Sequence, residues 1–162
     1  MMKRSLLAVA FAVALTMPAL ARDFSVPKKD PAIAISIPDN WKIRDIDYGF
    51  SAASPGDDVY FYVESTQAKS VDKMMALNDA WMKDQKITPE GEAKITSVDQ
   101  GPVKATIYNY KAKDENGPTN VSFTLIPAGD RLIMLTLWGS LDEQKKHDAE
   151  IDSILGSIRP AK

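Results

Sequence analysis

Arg131-Leu132-Ile133-Met134-Leu135-Thr136-Leu137-Trp138 is the stretch that decides the fold. Side chains alternate sides along a strand, so Leu132, Met134 and Trp138 line one face and Ile133, Leu135 and Leu137 the other. A strand that is apolar on both faces needs cover on both. It belongs at the centre of a layered molecule, with helices on each side of its sheet.

Working back from this strand, residues 93–140 read as four consecutive strands. Pro127-Ala128-Gly129-Asp130 turns into the central one from a strand in which Val121, Phe123 and Leu125 share a side. Asp114-Glu115-Asn116-Gly117 makes the preceding reversal, since Asn-Gly accepts the positive backbone angles of a tight hairpin. Before it, Thr106, Tyr108 and Tyr110 alternate over 103–112, and a strand over 95–98 comes first.

The N-terminal half adds a strand and a hairpin. Ile33, Ile35 and Ile37 alternate with Ala34 and Ser36, Pro38-Asp39-Asn40 ends that strand, and Trp41 follows the turn. Strands over 48–54 and 59–64 flank Ser54-Pro55-Gly56-Asp57, a Pro-Gly reversal. Val59, Phe61 and Val63 point one way there; Tyr60, Tyr62 and Glu64 point the other.

Two helices complete the pattern. Ser70 caps the first, and Val71, Met74, Met75, Asn78, Trp81, Met82 and Gln85 fall on one stripe at three-and-four spacing. Pro89 marks its far limit. Ser140-Leu141-Asp142-Glu143 is a capping box opening the second, whose stripe is Ile151, Ile154, Leu155 and Ile158 before Pro160 stops it.

Ahead of all this, Met1-Met2-Lys3-Arg4, the apolar run over 6–15 and Ala19-Leu20-Ala21 form the three parts of a secretory signal peptide. Residues 1–21 are expected to be removed, giving a periplasmic or secreted protein without a membrane span, because the apolar run is shorter than the roughly 20 residues a spanning helix needs. Residues 22–32, with Pro27, Pro31 and Lys28-Lys29-Asp30, read as a flexible arm, and 33–162 as one domain. Without Lys3 and Arg4 the chain holds 18 basic and 22 acidic residues. That mildly acidic balance gives it no electrostatic claim on nucleic acid. The absence of cysteine excludes disulfides and a bacterial lipid-anchor site.

The order of strands and helices, with Ile35-Ser36-Ile37-Pro38-Asp39-Asn40-Trp41, residues 50–55 and Ile154-Leu155-Gly156-Ser157-Ile158-Arg159-Pro160, resembles the PsbP-like fold. That fold is named for a photosystem extrinsic protein and shared with a eukaryotic Ran-binding protein and secreted bacterial proteins of the DUF1795 type. The resemblance implies an α+β protein, a three-layer α/β/α sandwich around an antiparallel sheet, with binding or assembly roles and no shared catalytic set. No Ran-binding surface is assignable from these residues, and photosystem association has no support in them.

Few residues offer chemistry. His147 is the one histidine, read as an exposed helix residue, and with no cysteine the chain lacks the usual zinc ligand sets. A Ser-His-Asp hydrolase would have to use His147, yet no Gly-x-Ser-x-Gly elbow is present. Asp57-Asp58 reads as a solvated turn, Asp45 and Asp47 as loop acids, and no calcium or phosphate loop occurs. Aromatic rings remain. Tyr60 and Tyr62 share one strand face, as do Tyr108 and Tyr110, and all four could meet near Trp41. Packed under a helix they are core with hydroxyls at the rim; left accessible, they are anchors for a ligand or partner. The reading is an exported non-catalytic binding or interaction module with no metal or cofactor. Its partner is an unidentified envelope protein or, alternatively, a small apolar or lipid-like ligand held between helix and sheet.

Overall fold

The computed structural model describes residues 20–66, 70–100 and 103–161. The expected leader up to residue 19 and the Gly101-Pro102 turn lie outside the described residues. In chain order come β1 (Ala21–Val26), β2 (Ile33–Pro38), β3 (Lys42–Ile46), β4 (Gly49–Ala53), β5 (Tyr60–Thr66) and α1 (Val71–Asp84). There follow β6 (Thr88–Pro89), β7 (Lys94–Gln100), β8 (Val103–Asp114), β9 (Gly117–Ala128) and β10 (Arg131–Gly139). The helices α2 (Leu141–Lys146) and α3 (Asp148–Gly156) and the short β11 (Arg159–Pro160) close the chain.

Eight of these strands form one antiparallel sheet in the order β3-β4-β5-β10-β9-β8-β6, with β7 also paired to β8. β10 sits inside it between β5 and β9, where the two-faced apolar pattern requires it to be. On one face Met74 and Met82 of α1 pack on Val121, Phe123, Leu125 and Met134. On the other, Phe61, Val63, Ile133 and Leu135 are buried with Ile151 and Ile154 of α3 and with Val26, Ile33, Ile35 and Ile37. That second cover is mixed: beside α3 it includes a separate three-stranded sheet, β1-β2-β11.

Local chemistry accounts for the element ends. Ser70 Oγ accepts from the Lys73 amide, capping α1. Ser140 and Glu143 exchange bonds at 3.2 and 2.8 Å as a capping box. At the β4–β5 turn Gly56 has φ +105°, as a type II turn with Pro55 ahead of it demands. Asp114 and Gly117 pair across the two-residue tip that Glu115 and Asn116 make.

Four expectations are corrected. The arm at 22–32 is not loose throughout, since β1 pairs with β2 from Ala21↔Pro38 to Val26↔Ile33 and Phe24 packs on Phe50. Asp45 is in β3, paired to Lys28 at 2.7 Å, rather than in a loop. The last helix is two, broken at His147, and Leu155 lies at its exposed edge while Ile151 and Ile154 are buried. His147 itself is not exposed: its side chain is only 13% accessible.

Candidate functional site

The four tyrosines do share a face of the large sheet, the one α1 covers. Tyr60 stacks on Trp138 with centroids 5.3 Å apart, and Tyr62 meets the edge of Trp81 at 5.6 Å. Trp81 also meets Trp138 and Phe123 at 5.9 and 6.0 Å, and Tyr110 meets Phe123 at 5.9 Å. Tyr108, opposite Phe123 in the ladder, joins the same cluster. Burial raises the phenol pKa of Tyr60, Tyr62 and Tyr110, so these rings stay neutral. The Tyr60 hydroxyl is committed to the Asp57 carbonyl at 2.7 Å, and the Trp138 indole to Asp114 at 3.1 Å.

Trp41 does not join them. It is 2% exposed, on the opposite face of the sheet, against Phe61 at 5.8 Å and His147 at 5.9 Å. Its position is a core position, and no partner could reach it without opening the fold.

Beside Tyr62 the helix and sheet part to leave a cleft of about 320 Å³. Met74, Leu77, Asn78 and Trp81 of α1 form one wall; Tyr62 and Glu64 of β5, and Met134 and Thr136 of β10, form the other. Tyr48 stands at the mouth, 50% exposed, and Leu77 at the rim, 58% exposed. The wall is aromatic and apolar with a few polar groups. Among the described residues the buried Asn78 amide makes one weak bond, to Met75 Sδ at 3.9 Å, and Thr136 is buried in the same lining. Glu64 is the cleft's lone charged side chain. Burial pushes its carboxyl above the ordinary range, and no hydrogen bond or ion pair among the described residues offsets this. Sequence reading named Tyr62 but passed over Glu64, because an alternating strand normally aims such an acid at water.

A second polar constellation was also illegible. His147 Nε2 lies 3.0 Å from Asp58 Oδ1, and its Nδ1 2.9 Å from Glu150 Oε2. Ser54 Oγ donates to Asp58 at 2.5 Å, and Asn40 to Glu150 at 3.0 Å. These bonds hold both carboxyls below the ordinary range: for Asp58 the Ser54 hydroxyl is the main cause, and for Glu150 the desolvation that would raise it is outweighed by Asn40 and His147. Trp41 Nε1 has no partner of hydrogen-bonding geometry, yet lies close enough to Glu150 to favour its charge. Ser54 is fully buried and bonds Asp58, not His147. Both ring nitrogens are occupied, so neither is left to activate a nucleophile. The cluster is a clasp between the β4–β5 turn and the α2–α3 junction. Among the described residues no group of three or more His, Cys, Asp or Glu side chains is placed to hold a metal ion.

No family model matches the chain, and a search of curated proteins finds no match. Solved structures do match. The solution structure of cyanobacterial PsbP (CyanoP) from Synechocystis is similar over 96% of this chain and 99% of that one, at 14% identity and TM-score 0.62. The crystal structure of LpqN, described as involved in cell envelope biogenesis of Mycobacterium tuberculosis, is similar over 88% and 92%, at 13% identity and TM-score 0.57. A crystal structure from Bacteroides thetaiotaomicron is similar over 80% of this chain and 45% of that longer one, at 11% identity and TM-score 0.54. At such identities the likeness is one of architecture. The chain has the PsbP-like α+β fold.

Proposed function

We propose that this chain is an exported, non-catalytic binding module that takes a small apolar or lipid-like molecule into the cleft between α1 and the sheet. The observation carrying this reading is the cleft itself, where aromatic and thioether walls surround the Asn78 amide and the Glu64 carboxyl, neither with a strong partner among the described residues. A rival cavity of about 400 Å³ beside β8 and α3 has Thr124 as its one polar side chain among the described residues, which is poor equipment for orienting a ligand. Export is supported by the leader-like first 21 residues, and no helix among the described residues is long and apolar enough to cross a membrane. Envelope work by LpqN, a protein of the same fold, is compatible with such a role. Kinship with secreted proteins of the DUF1795 type is part of the proposal, carried by the stretches at 35–41 and 154–160. Any envelope protein partner would meet the surface around the cleft mouth, since Trp41 is unavailable.

Native mass spectrometry after mild extraction, with thermal shifts across a lipid panel, tests the reading. Bound lipid, weakened by Leu77→Asn at the cleft rim and untouched by Leu155→Asn at the rival cavity, is the expected result. Clean protein with no shift on any lipid overturns it. N-terminal sequencing of the exported protein is expected to begin at Arg22.

A further inference from the structure

The cleft is not chemically neutral, and among the described residues its one charge has no counter-ion. Glu64 projects from β5 on the same face as Tyr62, opposite Met134 in the β5–β10 ladder and opposite Gly49 on β4. Neither neighbour brings a donor. Arg44 of β3 lies in the row of Ser51 and Tyr62, two residues along the strand from that of Glu64, and makes no ion pair with it. A partly buried carboxyl without a hydrogen bond or counter-ion is costly to a fold, and replacing it by a neutral residue would remove the cost. The same cleft is lined by Tyr62, Trp81 and Tyr48. Aromatic faces carry negative potential and attract cations, alkylated ammonium groups above all. An acid among aromatic rings therefore disfavours an anion, gains little from a neutral head group, and favours a positive one.

Resting on the reading of this cleft as a ligand site, we propose that its ligand carries an organic cation, an ammonium group on an apolar body. The ammonium sits against Glu64 between Tyr62, Trp81 and Tyr48. The apolar part runs along Met74, Leu77 and Met134 toward the exposed rim. A cation there supplies the charge the carboxyl lacks and favours its ionised form.

Isothermal titration at pH 7 with three probes of equal tail length, below their micellar concentrations, tests this. Octyltrimethylammonium is expected to bind about tenfold more tightly than octyl glucoside, with octanoate weakest. In Glu64→Gln, of nearly the same shape, the cation and the neutral probe are expected to bind within about twofold of each other. Equal binding of cation and neutral probe by the natural chain, or a cation preference that survives Glu64→Gln, overturns the inference and leaves the cleft reading standing. Failure of all three probes to bind overturns both. Tetramethylammonium in the same titration is expected to bind much more weakly than the octyl cation; equal affinity overturns the apolar body of the proposed ligand.

Discussion

His147 shows how far single residues can be read from sequence. Its partner Asp58 lies 89 residues away, and nothing local announces the bond. The imidazole bridges two carboxyls, Asp58 through Nε2 and Glu150 through Nδ1. His147→Ala takes one partner from each of two part-buried carboxyls and is expected to lower stability by about 1–3 kcal/mol in urea unfolding. Asp58 and Glu150 have folded pKa values below their ordinary ones. Each therefore stabilises the fold above the ordinary carboxylate pKa, and that contribution is lost as pH falls through the depressed folded value. The natural chain should lose stability on acidification, and His147→Ala should lose less of it. Glu64 has the opposite sign. Its raised pKa makes folding unfavourable for the ionised side chain above the ordinary range, and the cost vanishes below it. Glu64→Gln is expected to melt a few degrees higher at pH 7 and at the same temperature as the natural chain near pH 3. Trp41 carries the remaining lesson of this scale. A large ring after a turn carries no local sign of which side of the sheet it faces, and Trp41→Ala is expected to cost about 3–5 kcal/mol in the same unfolding assay.

Elements with local signals were the legible ones. Ser70 and the Ser140–Glu143 box start their helices where spacing predicts, because a cap is made between residues three apart. The Pro55-Gly56 and Asn116-Gly117 turns are of the same kind. β1 escaped because Ala21–Val26 is polar and largely exposed, and its strand character comes from pairing with β2. The helix break escaped because no Pro or Gly marks it; the tether of His147 to Asp58 lies where α2 ends and α3 begins. The start of β4 has its own constraint. A Cβ on Gly49 would lie 1.8 Å from the Val63 carbonyl oxygen, a distance only backbone movement can relieve. Gly49→Ala is expected to unpair the start of β4 from β5, seen as faster hydrogen exchange in 49–53 and 60–66 and a Tm several degrees lower.

At the scale of the molecule, β10 settles the arrangement. Its Met134 face is roofed by α1, and its Ile133 and Leu135 face by α3 with the small sheet. Two-sided hydrophobicity predicts that both covers exist, but cannot say that one of them is partly a sheet, since an alternating strand such as β2 reads alike in either. Nor could it place a cleft, which arises where α1 and the sheet diverge beside Tyr62 and Glu64. The claim that this divergence is the binding site is tested most directly by amide chemical shifts of the labelled mature protein titrated with octyltrimethylammonium. Perturbations are expected to gather on 60–66, 74–81 and 134–136. A map centred instead on α3 and β8, across the sheet, would contradict the account.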